Sequence, residues 1–278
     1  MKIGLALSGG AARGMAHVGV LRALVENGIP IDCIAGTSAG SIVGGAFAAG
    51  MSIDEIADLG RKLRWRHVGR VTISRFGVQS NARLEKFMRA RLPITKFEDL
   101  PVPFAAVATD LKTGEPVVMK DEGDLPFAIR ASCTIPGWYV PVPDREGRQL
   151  VDGGLVAVIP SAATRALGAD IVISVDVNSA GATFLEAFLS SSGSVFGVLL
   201  QSMMVIQRSV SRQHCELSDL VITPKVGHIR WDQVRRADEL MVAGYEAGLE
   251  SIPKIRALIA SGATDATDFK NRSALISL

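Results

Sequence analysis

The chain has 278 residues, 48% hydrophobic and 21% charged, with a formal net charge of +2. That balance describes a folded protein with a sizeable buried core and excludes a disordered chain. It gives no global argument for a nucleic-acid partner.

Residues 2–7 are apolar with little alternation, as expected of a parallel strand buried on both faces. Lys2 ahead of them is reminiscent of a secretory leader, but Ile3 to Leu7 is too short for a leader's apolar centre, and Arg13 follows at once. Ser8-Gly9-Gly10-Ala11-Ala12-Arg13-Gly14 is a glycine-rich turn. Met15, Val18, Leu21, Leu24 and Val25 then mark one face of a helix that Gly28 and Pro30 stop. A second apolar run, 31–35, leads into Gly36-Thr37-Ser38-Ala39-Gly40, and the small residues from Ser41 to Gly50 suit a tightly packed helix. Ser52 and Glu55 form a capping-box pattern that opens a helix to about Lys62. Residues 59–84 contain no Asp or Glu but carry Arg61, Lys62, Arg64, Arg66, Arg70, Arg75 and Arg83.

A helix is predicted from Asn81 to Arg91, with Leu84, Phe87 and Met88 facing inward. Phe104 to Thr109 and Pro116 to Met119, joined by the turn Lys112 to Glu115, predict a hairpin. Asp124 and Pro126 open a short helix, and the proline-rich stretch Cys133 to Arg148, with Trp138 and Tyr139, predicts irregular chain. Leu150-Val151 ends in Asp152-Gly153-Gly154. Pro160 opens a helix closed by Gly168, and Ile171 to Val177 reads as a strand. A helical region from Phe184 to Arg212, a last strand Leu220 to Thr223 and a helix Trp231 to Glu250 complete the series.

Strands alternating with helices argue a three-layer α/β/α fold around a largely parallel sheet. With no linker or repeat, the expectation is one domain over residues 1–262 and a frayed polar tail over 263–278. No window reaches the roughly 18 uninterrupted apolar residues of a spanning helix. Cys33, Cys133 and Cys215 are odd in number and share no metal-ligand spacing, so they read as buried thiols. The expected location is cytoplasmic, with membrane contact at most peripheral.

Gly36 to Gly40 has the form G-x-S-x-G, in which the serine sits on a sharp strand-to-helix corner and the glycines let neighbouring backbone come close. Such a turn also arises for packing reasons alone. The turn at 8–14 lies at the carboxyl end of a predicted strand, where open parallel sheets build sites. A dinucleotide turn G-x-G-x-x-G would need glycine where the chain has Ala11. The stronger reading is an oxyanion hole around Gly9 and Gly10, whose donors are typically worth about 10²–10³ each in rate. Arg13, a cation in the first turn of a helix, opposes the helix dipole, which predicts a task for it: fixing the loop or meeting an anion.

Ser38 needs a base. Of the histidines, His17 falls in the first helix, His67 in the basic window and His214 near a helix end. His228 follows the last strand, and the order Ser38, Asp152, His228 is that of an α/β-hydrolase triad. Against a triad, the elbow follows only two strands. Asp152 itself would accept the serine proton if an apolar pocket raised its pKa. Spacing alone leaves both mechanisms open.

G-G-x-x-R-G at 9–14, G-x-S-x-G at 36–40 and D-G-G at 152–154 together resemble the patatin-like phospholipases, specifically the short bacterial members. Ala108-Thr109-Asp110-Leu111 with Gly114-Glu115, and Arg130-Ala131-Ser132 through Ile135-Pro136, resemble further blocks of that family. The resemblance runs over residues 2–225. It implies a Ser38–Asp152 dyad without histidine, with Gly36 and Gly40 shaping the elbow and Gly153 and Gly154 the acid turn. It also implies an oxyanion hole from Gly9, Gly10, Ala11, Arg13 and Gly14, and hydrolysis of phospholipid or lysophospholipid acyl esters through an acyl-enzyme, with no metal or organic cofactor. Many members have a third glycine where this chain has Ala11. An alanine still supplies an N–H, so the expectation is a narrowed loop and a working hole.

A lipid hydrolase must reach an interface, which makes Arg61, Lys62, Arg64, Arg66 and Arg70, with Trp65 and Phe76, a candidate contact with an anionic membrane. Trp138 and Tyr139 are candidates for an acyl pocket. The apolar stretch 184–206 would cover the site, touch lipid, pack in the core or join subunits of an oligomer. The alternative from a different class is a regulatory or partner-binding protein of the same fold with little lipase activity.

Overall fold

A computed structural model describes residues 1–72, 74–178, 207, 211 and 215–262. The helical region expected from Phe184 to Arg212, His214 and the tail 263–278 lie outside the described residues, apart from Gln207 and Ser211.

In chain order, β1 (Ile3–Leu7) leads through a 3-10 turn (Ala11–Met15) into α1 (Ala16–Glu26), then β2 (Cys33–Thr37) and α2 (Ala39–Ala48). Every residue of β1 and β2 is buried, because apolar runs without alternation can only satisfy both faces inside a layered fold. α3 (Ile53–Lys62) starts with the expected capping box, in which the Ser52 hydroxyl accepts from the Glu55 N–H and the Glu55 carboxylate accepts from the Ser52 N–H.

The basic window yields elements that the sequence pattern did not predict: α4 (Trp65–Val68), β3 (Arg70–Val71) and β4 (Gly77–Ser80). α5 (Ala82–Arg89) follows, and β5 (Phe104–Asp110) and β6 (Pro116–Met119) form the predicted hairpin. After α6 (Leu125–Ser132), capped by Asp124, the stretch expected to be irregular carries β7 (Gly137–Tyr139) and β8 (Val142–Pro143). β9 (Gln149–Asp152), α7 (Ser161–Ala166), β10 (Ile171–Val175), β11 (Leu220–Ile222) and α8 (Ala237–Ala260) complete the described elements.

The last helix starts later and ends later than predicted. Its start is delayed because the loop before it is tied down: the Ala12 N–H donates to the Trp231 carbonyl and Arg13 grips the carbonyls of Gly227 and Ile229. It runs on through Pro253 because its buried face, Leu240, Gly244, Gly248, Ile252 and Ile255, keeps helical spacing past the proline. This helix packs along α1.

The main sheet has the order β11-β10-β1-β2-β5-β9-β8, parallel from β11 to β5, with β6, β9 and β8 antiparallel. β3, β4 and β7 make a second, small sheet. The fold is α/β with a mixed, mostly parallel sheet.

One detail of the register positions everything that follows. Ala106 and Val107 of β5 pair with both β2 and β6, while Ala108 and Thr109 pair with both β6 and β9. A strand has two edges, so β2 and β9 share the same edge of β5, end to end. Thr37 lies opposite Val107 and Asp152 opposite Ala108. Since β9 runs antiparallel to β5 and β2 parallel to it, their carboxyl ends meet head-on.

Cys33 and Cys133 are buried and Cys215 half-buried, all as free thiols. Among the described residues no helix is long and apolar enough to cross a membrane.

Candidate active site

Ser38 stands at the head of β2 with φ +51° and ψ −120°, a conformation that costs a residue with a Cβ about 1–3 kcal/mol. Its backbone is braced on both sides. The Ser38 N–H donates to Ser132 Oγ at 2.8 Å, and that hydroxyl donates to the Val107 carbonyl at 2.6 Å. The Ser38 carbonyl accepts from the Ser41 N–H at 2.9 Å and from Ser41 Oγ at 2.6 Å. The glycines are required by contact: a Cβ on Gly40 would lie 2.2 Å from the Leu7 carbonyl oxygen, and one on Gly36 would lie 2.5 Å from that of Gly40.

Asp152 arrives from the opposite direction at the end of β9 and is only 4% exposed. Its N–H donates to the Thr134 carbonyl at 2.8 Å, and its own carbonyl accepts from Thr109 Oγ1 at 3.0 Å. Burial pushes its carboxyl up to about 6, while hydrogen bonding from the Ser38 side chain and from the Gly154 N–H, the latter at 2.8 Å, holds it down. Gly153 packs against the Val107 carbonyl, leaving no room for a Cβ. A serine-bearing corner and a buried acid with a raised pKa thus face each other across the head-on junction of β2 and β9.

The turn at 9–14 lies beside Ser38: a Cβ added to Gly9 would lie 3.4 Å from the serine Cβ. Its donors divide. The Gly9 N–H is engaged with the Val158 carbonyl at 3.0 Å, the Ala12 N–H with Trp231 and the Arg13 N–H with Gly10. Among the described residues the N–H groups of Gly10 and Ala11 have no acceptor. Ala11 takes φ +48°, the left-handed region that glycine would enter without cost. Gly14 packs against the Ala39 side chain.

Arg13 is held inside the fold. It is 3% exposed, and its guanidinium donates to the carbonyls of Ile229 at 2.7 Å and Gly227 at 3.1 Å. Of the two tasks predicted for it, the structure shows the fixing of a loop.

His228, the third member of the triad reading, has a partner of its own. Arg13 pulls on the carbonyls either side of His228, and the His228 ring, with its side chain 54% exposed, meets Glu239 at 2.9 Å on the surface. His17 is fully buried, with Nε2 2.8 Å from the Ser8 carbonyl, and burial pushes its pKa down to about 4. It is therefore neutral and donates through Nε2. His67 stacks on Phe87.

An apolar cavity of about 90 Å³ opens beside Ser38, walled by Met15, Ile42, Ile56, Leu59 and Leu63. Ala11 and Tyr139 also line it, whereas Trp138 does not. Cys133 shares the wall, its thiol pushed well above the usual range by burial.

The basic window is not uniform. Arg61 is ion-paired to Asp238 at 2.7 Å and Asp58 at 3.0 Å, and Arg64 donates to the Leu63 carbonyl. Trp65 donates to the Asp232 carbonyl at 3.0 Å and packs edge-on against Trp231. Of the predicted contact residues, Arg61 is exposed but ion-paired, Arg64 and Trp65 are half-buried, and Lys62, Arg66, Arg70 and Phe76 are exposed.

Two residues carried no role in the sequence reading. Ser132 fixes the elbow, and Asn178 Nδ2 donates to the Gly9 carbonyl and so orients the 9–14 turn. Asn178 had a signal, since it follows the carboxyl end of β10, next to β1 in the sheet. Ser132 lay in the family-like block Arg130-Ala131-Ser132, but its partners Ser38 and Val107 are distant in sequence, so the block gave it no role.

The model of the patatin-like phospholipases matches residues 5–164, which carry the elbow, the 9–14 turn and the D-G-G. The chain belongs to the patatin-like phospholipase family. An uncharacterised NTE family protein of Mycobacterium tuberculosis is 41% identical over 184 residues, covering 65% of this chain and 50% of that protein. A protein of Mycosarcoma maydis named as a lysophospholipase is 37% identical over 196 residues, covering 68% of this chain and 10% of its own length. The chain thus spans about half the length of the mycobacterial relative and far less of the fungal one. In fold, this patatin-like chain resembles VipD of Legionella pneumophila, with a TM-score of 0.61 at 14% identity over 91% of this chain and 66% of that one.

Proposed function

We propose that the protein is a serine acyl hydrolase that cleaves acyl esters of phospholipids or lysophospholipids, carried by one domain over residues 1–262. Asp152 takes the proton of Ser38 Oγ as that oxygen attacks the ester carbonyl, and the negative oxygen of the tetrahedral intermediate is met by the N–H groups of Gly10 and Ala11. Collapse of the intermediate expels the alcohol portion of the lipid, which leaves with the proton from Asp152. Water then gives a proton to Asp152 and attacks the acyl-serine, and the fatty acid departs as Ser38 recovers its proton. The apolar cavity beside Ser38 holds the acyl chain.

The observation that carries this reading is the placement of Asp152. It is buried opposite Ser38 with a pKa of about 6, so it is ionised at neutral pH yet basic enough to accept a proton. The family membership and the lysophospholipase name of one relative support lipid as substrate. Peripheral contact with an anionic membrane, made by the exposed part of the basic stretch, brings the site to its substrate.

The test is labelling with a fluorophosphonate together with cleavage of p-nitrophenyl esters. The native protein labels and turns over, and Ser38→Ala does neither. A native protein that is silent in both assays overturns the enzyme reading and leaves a binding or regulatory protein.

A further inference from the structure

Beyond Val68 the basic stretch supplies β3 and β4 of the small three-stranded sheet, a ribbon edged by β7, with Arg70 opposite Ser80 and Val71 opposite Gln79. Opposed residues share a face and successive residues alternate, so Val78 points away from the face that carries Val71. Val71 is 78% exposed and Val78 50%, and Phe76, just ahead of β4, is 62% exposed. Apolar side chains therefore stand in water on both faces of the ribbon.

Cations surround them. The Arg75 guanidinium lies 4.9 Å from the centre of the Phe76 ring, and Arg70 is exposed on β3. Among the described residues, Lys62, Arg64, Arg66, Arg70, Arg75 and Arg83 make no ion pair with a carboxylate, in contrast to Arg61. The ribbon is also joined to the site. β4 pairs with β7, whose Tyr139 lines the cavity beside Ser38, and Trp65 and Val68, just ahead of the ribbon, line the same cavity.

We propose that the β3–β4 ribbon is a docking element for an anionic lipid surface. Val71, Phe76 and Val78 enter the apolar boundary, and Arg70 and Arg75 lie among the headgroup phosphates. An acidic protein surface would complement the arginines but would cover one face of a ribbon, whereas a lipid boundary surrounds both. Basic residues near an anionic leaflet add attraction that salt screens, and the apolar tip adds a part that salt does not remove. Docking by this ribbon serves the lipid-hydrolase reading above, and the two fail separately in one experiment.

The full chain carrying Ser38→Ala, so that bound lipid is not consumed, is sedimented with vesicles of phosphatidylglycerol mixed with phosphatidylcholine, and with phosphatidylcholine alone. Binding is expected to be about tenfold or more tighter to the anionic vesicles. Arg70→Glu with Arg75→Glu removes about tenfold or more, and Phe76→Ser several-fold. With Ser38 restored, the same variants cleave p-nitrophenyl butyrate within about twofold of the native rate, which shows the site intact. Absence of binding to anionic vesicles, or binding that ignores these substitutions, overturns the proposal. So does a Phe76-dependent dimer in sedimentation without vesicles, which would assign the ribbon to a second copy of the chain. A native protein that docks but never cleaves the ester sinks the hydrolase reading and leaves the docking element standing.

Discussion

β1 and β2 lie side by side, with Leu7 opposite Gly36, and both lead into a turn with a residue other than glycine at positive φ: Ala11 at +48° and Ser38 at +51°. The surroundings of the two differ. At Ser38 the N–H and the carbonyl are both engaged, so the backbone is fixed and the side chain is what the corner presents. At Ala11, as at Gly10, the N–H has no acceptor among the described residues, so the turn presents backbone donors. A positive φ at a residue with a Cβ serves a side chain in one turn and amide groups in its neighbour. Its cost is tolerated at Ser38 because hydrogen bonds on both sides hold the corner and the hydroxyl that braces it.

The largest effect expected after Ser38→Ala comes from the base that faces the braced corner. Asp152→Asn should lower kcat by about 10⁴ or more, since it keeps the shape and removes the proton acceptor. In the native protein kcat/KM should rise with pH through about 6, because only the ionised carboxylate accepts the proton. Stability moves the other way. The folded-state pKa lies above the ordinary aspartate value of 3.8, so the stabilisation it brings is complete below 3.8 and is lost as pH rises through about 6. Asp152→Asn, which does not titrate, should therefore gain stability relative to the native protein between pH 4 and 7, on the order of 3 kcal/mol. Denaturant titrations at the two pH values check this, and a loss of stability at pH 7 would show that the carboxylate is not desolvated.

Ser132→Ala tests the bracing itself. It removes the acceptor of the Ser38 N–H and should lower kcat by roughly tenfold to a hundredfold while KM changes little. An unchanged kcat would show that the corner holds without it. Ala11→Gly probes the other turn. It relieves the left-handed strain of about 1–2 kcal/mol but loosens the unfolded chain by about 0.4–1 kcal/mol. The net gain in stability should be about 1 kcal/mol or less, seen as a small rise in Tm. The smallest effect is reserved for His228→Ala, which should leave turnover within about twofold because the ring sits with Glu239 on the surface. A collapse of turnover in a folded His228→Ala protein would restore the triad.

Much of the site was legible because it is local. Within the elbow itself Gly36 has to be glycine, since a Cβ there would lie 2.5 Å from the Gly40 carbonyl oxygen, whereas Gly40 answers to Leu7 on the neighbouring strand β1. The capping box at Ser52 and Glu55 and the hairpin of β5 and β6 are likewise decided within a few residues. The stretches that were misread depend on distant partners. β7 forms because β4 offers it an edge, the start of α8 is set by Arg13, and Arg61 is paired with Asp238 on that last helix.

By itself, the sequence determined the family, the alternation of strands and helices, and the side chains with chemistry to offer, Ser38 and Asp152. Only the tertiary structure decided how they meet. β2 and β9 share one edge of β5 and run toward each other, which brings Asp152 to Ser38 and buries it deeply enough to raise its pKa to about 6. The same structure engages the Gly9 N–H, turns Arg13 to a loop and carries His228 to the surface. The physical reason is common to all of these. A backbone donor, a guanidinium or a carboxylate takes whichever partner the fold brings within about 3 Å, and sequence spacing does not record that distance.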